Sequence, residues 1–332
     1  MADWEKRWNP LRQEWIIYAA HRNKRPWDGK GHLASKPEPS YVSDCYLCPT
    51  NTRVNGAVNP NYENVYVFDN DVPILGLHAP QVNKSAHNDL YISKGANGFS
   101  KVICYSPDHS KTMSDLTVKQ IAKIIHEWKK VTLQAKEKQL ASVLVFENKG
   151  EITGVSNFHP HCQVYATDFI FNHTLLELES MNKYREERNR NLFDDILQAE
   201  QIDKNRIVVE NEKAVAFIPF FAKYAYEVML MPKMKSKTLL DLKYSDIEEI
   251  SEVYLQLIKK YDALFDMNFP YVMSIMQAPL QESNLDYQMY FHFQPPLRIP
   301  GIRKYLAGPE IGGGNFMADT IPEVSAEKLR SS

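Results

Sequence analysis

Two imidazoles flank a proline in Asn157-Phe158-His159-Pro160-His161-Cys162-Gln163, and an amide stands where a third imidazole would continue the alternation. In an extended segment, side chains two apart share a face, so His159, His161 and Gln163 are expected to project together, with Pro160 and Cys162 on the other side. Pro160 has no backbone donor and suits an edge strand or a bulge, which would leave the His161 ring accessible. A neutral imidazole can attack phosphorus and hold it covalently, dividing one difficult transfer into two easier ones. The Gln163 amide can donate to a phosphoryl oxygen but offers no titratable proton near neutrality, so it favours a phosphohistidine that waits for an acceptor over one that is hydrolysed. Histidines at period two also occur on ordinary half-buried strands, so the neighbouring segments must carry the functional reading.

Cys45-Tyr46-Leu47-Cys48 has the pair spacing that tetrahedral zinc favours, although a redox pair or two unrelated thiols share it. Four cysteines in 332 residues are too few for a disulfide scaffold. A structural zinc site needs two more ligands, which His109 and His159 can supply if the fold brings them together. Ligation of His159 would lock its strand and leave His161 poised for attack. Upstream, Phe146-Glu147-Asn148-Lys149-Gly150 leads into Thr153-Gly154-Val155-Ser156-Asn157. Backbone N–H groups near Gly154, the Ser156 hydroxyl and the Asn148 amide could surround a phosphoryl group, while a polar hairpin has the same composition. Gly312-Gly313-Gly314-Asn315 is expected to form a turn, since no helix start follows it in the manner of a phosphate-binding loop.

The elements that must position these residues show an internal duplication. Pro107-Asp108-His109-Ser110-Lys111-Thr112-Met113-Ser114-Asp115-Leu116 resembles Pro232-Lys233-Met234-Lys235-Ser236-Lys237-Thr238-Leu239-Leu240-Asp241-Leu242. Each copy follows a strand-like run (Val102 to Tyr105; Val228 to Met231) and precedes a helical pattern (Val118 to Gln134; Tyr244 to Phe265). More strands follow: Ser142 to Glu147 and His161 to Ala166 in the first copy, Tyr271 to Met276 and Gln288 to Phe293 in the second. His161-Cys162-Gln163 has a worn counterpart in His292-Phe293-Gln294, which places the active copy in the N-terminal half. Between the copies, Leu175 to Gln201 is expected to be a solvated helix pair, with Glu187 to Asn191 at a loop or helix end. The expected fold class is α+β, with residues 1–174 forming a catalytic half and 175–332 a degenerate half.

A hydrophobic content of 44% and a formal net charge of −2 suit a large core and argue against nucleic acid as a partner. No apolar run reaches a membrane span and the first residues lack the apolar core of a signal peptide, so the expected location is cytoplasmic.

Taken together, Asn9-Pro10-Leu11, His21-Arg22 through Arg25-Pro26-Trp27, Cys45-x-x-Cys48, Tyr66-Val67-Phe68-x-Asn70-Asp71, Ser106 to Thr112, Phe146 to Gly150 and His159-Pro160-His161-x-Gln163 resemble the galactose-1-phosphate uridylyltransferase family of the histidine-triad superfamily over nearly the whole chain. The resemblance implies two histidine-triad-like halves with antiparallel sheets and flanking helices. It also implies that His161 takes UMP from a UDP-sugar in a ping-pong reaction while Gln163 steadies the intermediate. By the same resemblance, zinc is held by Cys45, Cys48, His109 and His159, and the nucleotide is met by Asn70 and Asp71. Phosphate contacts fall on Asn148, Gly154, Ser156, Arg22 and Arg25. Some bacterial members hold a second metal with a glutamate and three histidines; here those positions are Glu177, Met276, Tyr290 and His292. A thioether and a phenol replace imidazoles poorly, so this second site is expected to be empty or weak. In the C-terminal segment Lys304 and Glu310 match, Pro309 and Phe316 depart from the family's tyrosine and glutamine, and Asn315 stands ready as a substitute polar contact. The expected partners are a UDP-sugar, a sugar 1-phosphate and a second copy of the chain. Two other readings share these residues: a nucleoside-diphosphate-sugar phosphorylase using inorganic phosphate, and a non-catalytic nucleotide-sugar sensor.

Overall fold

The computed structural model describes residues 4–21, 38–80, 82, 90–282 and 285–332. In the first part of the chain, strands β1 (Glu5–Asn9), β2 (Glu14–Tyr18), β3 (Tyr66–Asp69) and β4 (Gly98–Cys104) precede helix α1 (Val118–Glu137), β5 (Ser142–Lys149) and β6 (His161–Thr167). Helices α2 (Asn172–Arg188) and α3 (Leu192–Asp203) then cross to β7 (Ile207–Glu210), β8 (Ala214–Phe217), β9 (Val228–Pro232), α4 (Tyr244–Leu264), β10 (Tyr271–Met276) and β11 (Tyr290–Gln294). The chain closes with β12 (Leu297–Ile299), β13 (Ile302–Arg303), α5 (Gly308–Gly313), β14 (Met317–Ala318) and α6 (Pro322–Ser331).

The two copies share one antiparallel sheet of nine strands, ordered β3-β4-β6-β5-β10-β11-β9-β8-β7. Its centre is symmetric in register: Glu147 on β5 stands opposite Met273 on β10, with Asn148 opposite Val272 and Phe146 opposite Ser274. The flanking pairs repeat the relation, since Cys104 faces His161 across β4 and β6, and Met229 faces His292 across β9 and β11. Each copy also carries the same capped turn, in which Asp115 accepts from the Thr112 N–H and Asp241 from the Thr238 N–H, both at 2.8 Å. The boundary between residues 174 and 175 falls in the first turn of α2.

Burial alternates along the central strands as period two requires. On β6, Cys162, Val164 and Ala166 are buried, while His161, Gln163 and Tyr165 are half-exposed on the opposite face. The buried face is covered by α1 and α4. Thr117 and Gln120 cap α1 reciprocally, and its stripe of Ile121, Ile124, Ile125, Trp128 and Val131 at helical spacing faces the core. On α4, Ile247, Ile250, Val253, Tyr254, Leu257 and Tyr261 do the same. The Trp128 indole N–H donates to Cys162 Sγ at 3.1 Å, so the helix grips β6 directly behind His161 and Gln163. The other face carries the candidate chemistry, and beside it a second core covers the C-terminal strands, where Leu11, Ile16, Tyr18, Met181 and Phe193 pack with Val215, Phe217, Met229, Met231 and Tyr290.

Three local expectations are corrected. The strand begins at His161, not at His159, and β6 lies between β4 and β5 rather than at an edge. Pro160 stands just ahead of it, with its carbonyl accepting the Tyr105 N–H at 2.9 Å, so the missing donor ends a ladder instead of sitting within one. The glycine-rich run Gly312 to Asn315 ends helix α5, with Gly314 at φ 72°, where a left-handed backbone favours glycine. Leu175 to Gln201 forms most of α2 and α3, joined where Asn189 at φ 53° closes α2, but the pair is not simply solvated: Met181, Leu192, Phe193 and Ile196 are buried in the second core.

Candidate active site

The side chains of His161, Gln163, Asn148 and Ser156 line one cavity of about 60 Å³ together with Phe146, Gly154, Val155 and Cys162. His161 Nδ1 lies 2.7 Å from the carbonyl oxygen of His159. A carbonyl only accepts, so Nδ1 carries the proton and Nε2 keeps its lone pair. Burial lowers the His161 pKa, against the opposing pull of the His159 carbonyl, which keeps the ring neutral and nucleophilic around neutral pH. Gln163 Oε1 accepts from Asn70 Nδ2 at 3.3 Å and from the Tyr165 hydroxyl at 3.4 Å. Those two donors fix the amide's orientation, so its NH2 group is the end left to donate.

Gly154 is left-handed at φ 85° and closes a short turn after Gly150. Its own N–H already donates to the Glu151 carbonyl at 2.9 Å, so a phosphoryl group at this loop would meet the residues after it. The loop then reaches Asn157, which organises both neighbours: its Oδ1 accepts the His159 N–H at 2.9 Å and its Nδ2 lies 3.4 Å from Cys45 Sγ.

Among the described residues, one cluster of potential metal-ligating groups stands out: Cys45, Cys48, His109 and His159, all buried, with one ligand atom from each lying within 4.8 Å of the others. Cys48 Sγ is 3.6 Å from His109 Nδ1 and 3.5 Å from His159 Nδ1. A tetrahedral zinc with bonds of about 2.0–2.3 Å has ligand-to-ligand edges of roughly 3.5 Å, so this donor set and its spacing fit that ion. His159 is prepared for the role. Its Nε2 lies 2.9 Å from both the Ser106 carbonyl and the Tyr62 hydroxyl, and the Tyr62 O–H is itself directed at the Leu47 carbonyl at 2.7 Å. Nε2 is therefore the protonated nitrogen, and Nδ1 is left for a metal. Burial, reinforced by the neighbouring His109, holds the His159 pKa down at about 3, so the ring is neutral as ligation requires.

The remaining candidates are more dispersed. Asn70 reaches the cavity only through Gln163, and Asp71 forms an ion pair with Arg53 at 3.5 Å. Lys304 and Glu310 pair with each other at 2.6 Å, and Asn315 donates to the Trp15 carbonyl at 3.2 Å; none of the three lines the cavity. Arg22 and Arg25 lie outside the described residues. Glu177 is fully buried, accepts from the hydroxyls of Tyr287 and Tyr290, and pairs with Arg12 at 3.0 Å. His292, the register twin of His161, places Nε2 2.8 Å from the buried carboxylate of Glu227, which lowers the pKa of that acid. Met276 and His292 border a second cavity of about 300 Å³ together with Asn172, His173, Ser274 and Gln294.

Sequence reasoning gave no role to Tyr62, Ser106 or Asn157, which bond Cys45 and His159 without belonging to the metal-ligating cluster. Asn157 carried the one available signal, a short amide two residues ahead of a histidine, a spacing at which side chain meets backbone.

Residues 2–170 match the family profile described as the galactose-1-phosphate uridyl transferase N-terminal domain, and residues 177–332 match its C-terminal domain. The chain is similar to galactose-1-phosphate uridylyltransferase of Haemophilus influenzae, at 38% identity over 98% of this chain and 93% of that relative. The enzyme of Rattus norvegicus is 35% identical over 98% of this chain and 86% of its own length. A solved structure of a uridylyltransferase superposes with a TM-score of 0.80 at 26% identity, covering 98% of this chain and 97% of that one. An ADP-glucose phosphorylase from Arabidopsis thaliana, solved with bound ADP-glucose, shares the fold with a TM-score of 0.78 at 23% identity, over 99% of both chains.

Proposed function

The chain belongs to the galactose-1-phosphate uridylyltransferase family, and on that premise we propose that it exchanges UMP between UDP-glucose and galactose 1-phosphate through a covalent intermediate on His161. The single observation that carries this reading is the bond from His161 Nδ1 to the His159 carbonyl at 2.7 Å, on a ring that lines the cavity with Asn148, Ser156 and Gln163. In the first half-reaction Nε2 attacks the α-phosphorus of UDP-glucose, and the bond to the bridging oxygen breaks to release glucose 1-phosphate. In the second, an oxygen of galactose 1-phosphate attacks the same phosphorus, the N–P bond breaks, and UDP-galactose leaves. The leaving group is a sugar phosphate, already stable as an anion, so no strong general acid is needed and a neutral amide suffices at position 163. Gln163, Asn148 and Ser156 donate to the phosphoryl oxygens as their charge develops.

Cys45, Cys48, His109 and His159 would hold a zinc whose part is orientation: bound there it would fix the ring of His159, the residue whose backbone carbonyl holds His161. Residues 1–174 then form the catalytic half and 175–332 the half that lost chemistry. The second family metal position takes no ion in this reading, because Arg12, Tyr287 and Tyr290 already surround Glu177, and His292 already faces Glu227. Lys304, Glu310 and Asn315 are not among the residues lining the cavity, which supports a homodimer in which each chain offers its C-terminal segment to the sugar phosphate of the other, with Arg22 and Arg25 near the phosphates. No helix among the described residues is long and apolar enough to cross a membrane, in keeping with a cytoplasmic enzyme of galactose metabolism.

The test is incubation with labelled UDP-glucose alone, followed by either galactose 1-phosphate or inorganic phosphate. The expected result is an acid-labile, base-stable adduct at His161 that galactose 1-phosphate discharges. Discharge by inorganic phosphate alone would make the protein a phosphorylase, and tight binding with no adduct would make it a sensor.

A further inference from the structure

We propose that Arg53 is a positioning residue for nucleotide binding, holding the Asp71 carboxylate in place and tying it to the cysteine turn; this rests on the reading of Asp71 as a nucleotide contact. The two side chains are 13% and 7% exposed and meet at 3.5 Å between Arg53 Nη1 and Asp71 Oδ1. Arg53 Nε, Arg53 Nη1 and Asp71 Oδ1 are buried and have no hydrogen-bond partner among the described residues. The guanidinium carbon lies 4.4 Å from the centre of the Phe68 ring, a stacked arrangement that a planar, delocalised cation favours. Phe68 pairs with Val102, and Val102 with Gln163, so the stack stands on the same sheet face as the candidate nucleophile.

The backbone around Arg53 is fixed from both sides. Its N–H donates to the Ala57 carbonyl at 2.7 Å, and its carbonyl accepts from the Gly56 N–H at 3.0 Å. That tight loop needs Gly56 at φ 86°, a conformation other residues resist. The loop is joined to the Cys45 to Cys48 turn: Asn51 Nδ2 donates to the Cys45 carbonyl and Asn59 Nδ2 to the Cys48 carbonyl, each at 2.9 Å. Asp71 in turn follows Asn70, whose amide reaches Gln163. The cysteine turn thus steers the nucleophile through His159 and the nucleotide grip through Arg53.

A buried carboxylate is costly unless a cation compensates it, and here the compensation is ionic contact without a formed hydrogen bond. An ionised carboxylate offers only acceptors, so the ligand group that Asp71 meets is a donor, a hydroxyl or ring N–H of the nucleoside. Without Arg53 the carboxylate loses both its orientation and its charge balance.

The experiment measures UDP-glucose binding by titration calorimetry on a non-turning-over H161A background, adding R53A, D71N and the pair, with metal content and thermal unfolding measured for each. R53A and D71N should each weaken binding about 20-fold, and the pair should lose no more than about threefold beyond either, because two residues acting as one unit are strongly non-additive. If R53A fails to fold, Arg53→Lys, which keeps the charge but loses the planar stack, runs the same cycle. Full binding by R53A beside a weakened D71N, or additive losses, would overturn the proposal. Unimpaired binding by D71N would overturn it together with the reading of Asp71, while the transfer reaction fails separately, if the wild-type chain forms no adduct.

Discussion

In the proposed reaction His161 is the nucleophile and Gln163 the donor, and each role has a measurable consequence. His161→Gly should abolish both adduct and transfer while thermal unfolding stays unchanged, since the ring lies on the cavity side of β6, opposite the core that holds Cys162 and Val164. Gln163→Ala should slow adduct formation by about 10²–10³-fold, the usual cost of one donor to developing oxyanion charge, in single-turnover measurements. Because burial lowers the His161 pKa, the neutral form persists to lower pH than in a free histidine. The acid limb of single-turnover adduct formation should therefore fall below the ordinary imidazole midpoint of about 6.5, and a midpoint above it would contradict the buried, neutral ring. At this scale the sequence made the alternating histidines, the glutamine and the cysteine pair readable, because each has a type and spacing with chemical meaning. Tyr62, Ser106 and Arg53 escaped notice because they act through contacts made across the fold, which no local spacing encodes.

The central strands and the cysteine turn show how elements carry chemistry they do not perform. Cys48→Ser touches no substrate, yet it should eliminate bound zinc in elemental analysis, lower the unfolding temperature and slow adduct formation, because His159 would lose its anchor. Glu147, at the symmetric centre of the sheet, faces the covered side, where the Tyr271 hydroxyl reaches it at 3.3 Å. Burial raises its pKa from 4.5 to about 7, only partly opposed by Lys149 and Tyr271. The folded state thus holds a proton that the unfolded chain releases above about 4.5, so stability should decline as pH rises from about 4.5 to 7, on the order of 1 kcal/mol per pH unit, and level off above. Glu147→Gln should flatten that slope in denaturant titrations at pH 5 and pH 8. The strands and long helices of the two copies were legible, since Val118 to Gln134 and Tyr271 to Met276 carry clean periodicity, whereas β1, β2, β7, β8 and α6 were not read. What the periodicity lacked was the sheet's unity: nothing local in β5 or β10 announces that the two copies pair edge to edge through Glu147 and Met273.

For the whole molecule, the absence of Lys304 and Glu310 from the cavity lining leads to a mixing experiment. If sites are shared between chains, combining inactive His161→Gly with inactive Lys304→Ala protein and allowing subunits to exchange should restore about a quarter of wild-type activity, since half the dimers are mixed and each has one intact site. No recovery would mean that each chain is self-sufficient. The duplication itself was visible in Pro107 to Leu116 and Pro232 to Leu242, but its asymmetry was only half visible: His292 and Gln294 preserve the letters of the other copy, and the carboxylate that meets His292 comes from a different strand connection.

That carboxylate has a stoichiometric consequence. With Glu227 bonded to Nε2 of His292, the nitrogen equivalent to the attacking one of His161, a chain saturated with radiolabelled donor should retain a single nucleotidyl equivalent, and no labelled peptide should derive from the second copy.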